Sequence, residues 1–242
     1  FRLRNFQTFL RLSSADRPDW VRTVIWPETS AAFFIDEAPD LRTAAGAFAA
    51  PTGGYLITGA PRRVQDPLTL YNALLALNDQ GDVKAQYDKS HLVPFGEYVP
   101  LSDYLPFGKV TIGSVDYSPG PGPQTVTLPG LPPFAPLICY EIIFPGQVID
   151  STHRPEWILN ITNDAWYGHS TGPYQHVQHT RLRAIYDGYG RELARIALDS
   201  SGVRDFRLPP ALSETLFAVY GNAIAVFMIA ISAIAGIMAI RR

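Results

Sequence analysis

Apolar residues along this chain come in distinct rhythms. Compact runs at residues 23–26, 55–59, 72–77, 136–140 and 157–161 are bounded by Gly, Pro, Asp or Asn, and this composition and punctuation predict strands. Several of the runs lack polar alternation, which predicts burial on both faces of a sheet. Residues 1–12, 38–49 and 173–185 repeat apolar positions at helical spacing instead. Asp79-Gln80-Gly81-Asp82 predicts a hairpin turn, and the Pro- and Gly-rich stretch 118–136 predicts a surface loop. Strands interleaved with helices predict an α/β layered sheet.

A different pattern closes the sequence. Residues 215–240 carry no charge, and residues 223–240 are apolar apart from Ser232. A helix of that length reaches roughly 27 Å at about 1.5 Å per residue, close to a hydrocarbon core of about 30 Å. Arg241 and Arg242 follow at once, and basic residues tend to stay in the cytoplasm, which predicts residues 1–214 on the opposite side of a membrane. The expected division is therefore a domain at 1–214 and a membrane helix with a basic end at 215–242.

Composition adds bounds rather than direction. With 242 residues, 47% of them hydrophobic, the chain can bury one sizeable core. Twenty basic against 22 acidic residues leave a net charge of −2, so no strong field draws in nucleic acid. A single cysteine excludes an internal disulfide and a multi-cysteine metal site, leaving Cys139 as either a core residue or a reactive thiol. The chain opens at Phe1 without an initiator Met or a signal layout, and is read as part of something longer.

Three residues stand where strands run out into loops, the place at which open α/β sheets gather reacting groups. Glu28 follows an apolar strand ended by Pro27, Lys89 leads from the second arm of the hairpin into a Pro-Gly loop, and Cys139 ends the run Pro136-Leu137-Ile138. Taken singly, each has a plainer role: a solvated strand end, a surface lysine, a core filler. Together they make chemical sense. A thiol attacks as thiolate, which calls for a base and a cation, and Glu28 and Lys89 are one of each. Lys89 and the backbone N–H of Tyr140 could also face an oxyanion. His176 and His179 lie three apart on the predicted helix 173–185 and read as part of a helix face; no motif predicts a metal or an organic cofactor.

These residues resemble the Glu-Lys-Cys triad of the nitrilase superfamily, in the form found in apolipoprotein N-acyltransferases. The resemblance rests on Trp26-Pro27-Glu28, on the stretch from Tyr87-Asp88-Lys89 through Val93-Pro94-Phe95-Gly96-Glu97-Tyr98-Val99-Pro100, on Ile138-Cys139-Tyr140-Glu141, and on Asn163-Asp164-Ala165-Trp166-Tyr167-Gly168. It implies a nitrilase-like α-β-β-α sandwich with a C-terminal transmembrane helix, and Glu28, Lys89 and Cys139 as catalytic residues. It also implies supporting or substrate-binding roles for Glu97, Tyr140 and Glu141. The implied activity moves the sn-1 acyl chain of a phospholipid such as phosphatidylethanolamine, through a cysteine thioester, to the α-amine of a diacylglyceryl-cysteine apolipoprotein. The implied place is the bacterial inner membrane, catalytic domain on the periplasmic side.

The sequence departs from that family between Ile185 and Tyr186, where some twenty residues including a core strand are expected. Phe95, Tyr98, Leu101, Tyr104, Leu105 and Phe107 could form an apolar lid, or simply pack. Two other functions remain open: a membrane-tethered nitrilase-type amidase using the same triad, and an inactive membrane-anchored module that binds lipoproteins.

Overall fold

The computed structural model describes residues 2–14, 17–101, 115–182, 194, 196–197, 200–214 and 216–240. The junction of Ile185 with Tyr186, and Tyr104, Leu105 and Phe107 of the expected lid, lie outside them. Two compact units divide at Pro210, residues 1–210 and 211–242.

The first unit is built on two sheets. One holds β1 (Thr23–Ile25), β2 (Tyr55–Gln65), β3 (Leu68–Leu77) and β4 (Val83–Asp88) in that spatial order. β1 runs parallel to β2, and β2, β3 and β4 form an antiparallel meander. The other sheet holds β5 (Val126–Leu128), β6 (Leu131–Ile138) and β7 (Trp157–Ile161), with β6 antiparallel to β5 and parallel to β7.

The apolar runs without polar alternation are buried on both faces because successive side chains enter different cores. Leu56, Leu75 and Leu77 join the cluster beneath α1 (Arg2–Ser13) and α2 (Pro39–Ala49), with Phe6, Trp26 and Ala45. Their neighbours Ile57, Leu74 and Ala76 point the other way and meet Phe134, Ile138, Leu159 and Ile161 of the second sheet. On β6 the same alternation sends Leu137 outward to Ile142 and Val148. Helix on sheet, sheet on sheet, and an outer apolar layer give the layered α/β architecture expected. On the outer side, α3 (Gly172–Leu182) packs against the turns that follow β6 and β7.

Several local expectations change. The stretch 118–136 is not all loop: β5 and the first part of β6 form a hairpin across Pro129 and Gly130, the glycine at φ 78°. Its prolines hid a strand that tolerates them: Pro132 and Pro133 fall at the irregularity in the β5–β6 register, and Pro136, beyond the last β5 pair, has a neighbour only in β7. β3 begins at Leu68, not residue 72, and β2 runs on to Gln65. The strand expected at 136–140 stops at Ile138, where a 3-10 turn from Cys139 to Ile143 begins.

In the second unit the expected span is divided. α4 (Leu216–Tyr220) ends at a turn with Gly221 at φ 53°, and α5 (Ala223–Ile240) follows for 18 residues. Among the described residues no helix is long and apolar enough to cross a membrane. At about 1.5 Å per residue α5 reaches roughly 27 Å, just under a bilayer's apolar thickness of about 30 Å.

Candidate active site

The two sheets bring strand ends together at one edge of the first unit. Beyond β1 the chain stays tied to β2: the Trp26 N–H donates to the Ile57 carbonyl at 2.8 Å, and the Ala31 N–H to the Gly59 carbonyl at 3.2 Å. Glu28 is held in this crossing. A side chain at position 59 would put its Cβ 2.6 Å from the Glu28 Cα, so only glycine lets the two backbones lie so close.

Glu28 is buried, and both carboxylate oxygens are engaged. Oε1 accepts from the Asn72 amide at 2.8 Å, and Oε2 from the backbone N–H of Asn163 at 2.9 Å. Lys89, 1% exposed, directs its ammonium to Glu97 Oε2 at 2.9 Å, with Glu28 Oε1 at 3.9 Å. Asn72 closes the ring by donating also to Glu97 Oε1 at 2.8 Å. The loop carrying Glu97 is anchored through the same carboxylate, which accepts from the Val93 N–H at 2.8 Å. Lys89 itself is pinned by its main chain, donating to the Asn72 carbonyl and accepting from the Gly120 N–H.

Two carboxylates around one ammonium leave an excess of negative charge in a dry place. Burial raises the Glu28 pKa above the ordinary 4.5, with Lys89 and the bonds from Asn72 and Asn163 opposing. Burial works against the Lys89 charge, but Glu97 and Glu28 outweigh it and the pKa stays above the usual lysine value. Burial, followed by the Glu28 charge, pushes the Cys139 thiol up to about 11, while Lys89 pulls it down. At neutral pH the thiol therefore keeps its proton until a base removes it, and Glu28 is the carboxylate whose charge acts most strongly on it.

Cys139 is buried and adopts φ 52°, a left-handed conformation costly for any residue with a Cβ. Two groups hold it so. Glu141, 1% exposed, accepts from five donors: the Ile138, Ser90 and His91 N–H groups and the Tyr87 and Ser90 hydroxyls. It thereby fastens the cysteine turn to the loop beginning at Lys89. On the other side His176 Nε2 lies 2.9 Å from the Cys139 carbonyl, and its Nδ1 lies 2.8 Å from Asp164 Oδ1. Burial lowers the imidazole pKa, but the hydrogen bond to Asp164 outweighs it and the net shift is upward.

The structure thus brings together Glu28, Lys89 and Cys139, with Glu97 bonded to Lys89 and Glu141 bonded to Ile138 and Ser90, the chain neighbours of Cys139 and Lys89. Tyr140 is half-buried, its ring edge-on to Phe144 at 5.0 Å. The plainer readings of the three strand-end residues do not hold for Glu28 and Lys89, which are buried. His176 lies on α3 as expected, but it is 7% exposed and its ring faces the carbonyl of Cys139. Asn72 escaped the sequence reading, although one amide in the apolar run Tyr71-Asn72-Ala73-Leu74-Leu75 was a visible signal. Asn163 and Asp164 lay in the stretch 163–168 that carried the family resemblance, but nothing in it pointed to their bonds with Glu28 and His176.

Among the described residues one group could offer a metal three ligands, Cys139, Asp164 and His176, with ligand atoms within 4.8 Å of one another. Both imidazole nitrogens already have hydrogen-bond partners, however, so a metal would displace one. Of the expected lid, Phe95 is 41% and Leu101 65% exposed, and Trp166, beside the turn that carries Asn163, is 69% exposed.

The fold is similar to the carbon-nitrogen hydrolase of Helicobacter pylori G27, with a TM-score of 0.51 at 12% identity over 76% of this chain and 64% of that one. In sequence the chain is 38% identical to an apolipoprotein N-acyltransferase of Bradyrhizobium diazoefficiens over 90% of its length, and 36% identical to one of Rhodopseudomonas palustris over 87%. It spans 45% and 44% of those relatives, less than half of each. The carbon-nitrogen hydrolase family model matches residues 4–189, most of the first unit, and the chain belongs to that family.

Proposed function

We propose that this chain is the catalytic part of an apolipoprotein N-acyltransferase, in which Cys139 carries an acyl group from a phospholipid to a lipoprotein amine. The observation that carries the reading is the buried Glu28–Lys89–Glu97 network set beside a cysteine held at φ 52°. The names of the relatives support the choice of reaction.

In the first half, Glu28 takes the Cys139 proton and the sulfur adds to the sn-1 ester carbonyl of a phospholipid such as phosphatidylethanolamine. The Lys89 ammonium and the Tyr140 N–H stabilise the oxyanion. As the C–O bond breaks, Glu28 returns the proton to the departing alkoxide and lysophospholipid leaves. In the second half the α-amine of a diacylglyceryl-cysteine attacks the thioester, Glu28 accepts the amine proton, and the thiolate is released. Glu97 sets the position of Lys89, and Glu141 that of the Cys139 turn.

Both substrates live in a bilayer, and α5 is proposed as the anchor that keeps the domain there. Its length falls slightly short of the apolar thickness, a mismatch that local thinning of the bilayer accommodates. Arg241 and Arg242 favour the cytoplasmic end, which would place residues 1–214 on the periplasmic side of the inner membrane. A tethered amidase would use the same three groups and release its acyl group to water. The exposed Phe95, in the loop that carries Glu97, and Trp166, in the turn after Asn163, favour a lipid substrate over a small amide.

The test is a transfer assay with full-length protein, labelled phosphatidylethanolamine and a diacylglyceryl-cysteine lipopeptide. N-acylated lipopeptide and lysophospholipid in equal amounts are expected. Free fatty acid alone, released at the same rate without acceptor, would replace the acyltransferase by a hydrolase.

A further inference from the structure

The hydrogen bonds of His176 have a chemical consequence of their own. Its Nε2 faces the Cys139 carbonyl and its Nδ1 the Asp164 carboxylate, at 2.9 and 2.8 Å. A carbonyl only accepts, so Nε2 carries a proton, and a carboxylate that accepts from Nδ1 makes the side chain an imidazolium. Asp164 is oriented for this by Thr162, whose hydroxyl donates to the same Oδ1 at 3.2 Å. The titratable groups facing the ring are Asp164 on the turn after β7 and the Cys139 thiol, with Glu28 beyond β1 acting more weakly.

A peptide unit is planar and trans, so its C=O and N–H point in opposite directions. Fixing the carbonyl of Cys139 therefore fixes the direction of the Tyr140 N–H, the backbone donor assigned above to the oxyanion. We infer that His176, charged and braced by Asp164, is a positioning residue that aims the Tyr140 N–H at the oxyanion by gripping the other end of the same peptide. The inference rests on Cys139 as nucleophile and on no particular lipid substrate.

Two reactions of Cys139 separate this role from packing. Alkylation by iodoacetamide forms a carbon–sulfur bond as iodide leaves and needs no oxyanion donor. Acylation by p-nitrophenyl acetate adds the sulfur to a carbonyl, passes through an oxyanion and releases nitrophenolate. In the full-length protein, His176→Gln should slow acylation by at least about tenfold, since an oxyanion donor is worth on the order of a hundredfold or more, and alkylation by less than about threefold. Asp164→Asn, which keeps the imidazole but removes its brace, should show the same pattern more weakly, and it serves if His176→Gln fails to fold. Nitrogen-15 shifts of His176 should be those of an imidazolium at pH 7 in the wild type.

An equal slowing of both reactions would reduce His176 to packing, and no slowing of either would remove it from the mechanism. A neutral ring would overturn the charge assignment. Neither reagent is a phospholipid, so loss of the acyltransferase reading would leave these outcomes unchanged.

Discussion

The two units of this chain invert the usual partition of side chains in opposite ways. In residues 1–210 charge is inside: Lys89 and Glu141 are each 1% exposed and Glu28 is 6% exposed. In residues 211–242 apolar side chains are outside: Phe227 is 65% and Ile229 69% exposed. Buried charge is costly unless paired and hydrogen-bonded, and these are: Lys89 by Glu97 and Glu28, Glu28 by Asn72 and Asn163, Glu141 by five donors. Exposed apolar surface on this scale is equally costly in water. The first inversion is resolved inside the fold, and a bilayer would resolve the second, which is why one unit is proposed as the reactor and the other as the anchor.

The comparison breaks most sharply at Lys89. Lys89→Met keeps much of the side-chain length but leaves Glu28 and Glu97 facing each other without a cation. Acyl transfer should fall by about a thousandfold, as for loss of an oxyanion donor together with disturbance of the base. Stability should fall by about 3–5 kcal/mol, the cost of stranding a buried charge, read from denaturant unfolding. A variant with near-native turnover would remove Lys89 from the site.

Glu141→Gln tests the same principle away from the chemistry. With its oxygen kept toward the four donors on Oε1, the amide turns its NH₂ to the Ile138 N–H and loses the charge that all five donors face, so a loss of about 2–4 kcal/mol is expected in urea unfolding. Acyl transfer should fall as well, because the Ile138 N–H beside Cys139 loses its acceptor. Unchanged stability would mean that the five-donor network contributes nothing net.

Charge placed into the exposed apolar helix probes the other side. Ile229→Arg puts a guanidinium in the middle of α5, where insertion into a bilayer costs about 2.5–3.5 kcal/mol. Partition into vesicles should weaken while alkylation of Cys139 by iodoacetamide stays unchanged. Equal vesicle binding by the two proteins would end the anchor reading.

The smallest effect concerns pH. Glu28 must be ionised to act as base, and burial holds its folded pKa above 4.5. The rate of thioester formation should therefore drop as pH falls through that raised value, with the acid limb displaced upward from an ordinary carboxylate. Asn72→Ala removes a hydrogen bond that favours the ionised form and should move the limb further up. A limb at or below 4.5 would assign the base elsewhere.

Much of this was legible in the sequence because burial on both faces leaves a plain mark: unbroken apolar runs gave β2, β3, β6 and β7, and the polar residues closing such runs gave Glu28 and Cys139. What stayed hidden was non-local. Pro132 and Pro133 argued against a strand before residue 136, and they are accommodated where the β5–β6 register is irregular. His176 sat on an unremarkable helix, and its contact with the Cys139 carbonyl spans 37 residues of sequence. Glu141 could be placed by family resemblance, but its five donors come from segments some fifty residues away as well as from its own turn.

The central claim is that Cys139 holds an acyl group. Intact mass spectrometry of the full-length protein after incubation with phosphatidylethanolamine tests it most directly. The account predicts a gain of one acyl chain, released by hydroxylamine and absent from Cys139→Ala. A folded wild-type protein that gains no acyl mass, or gains it equally in Cys139→Ala, would contradict it.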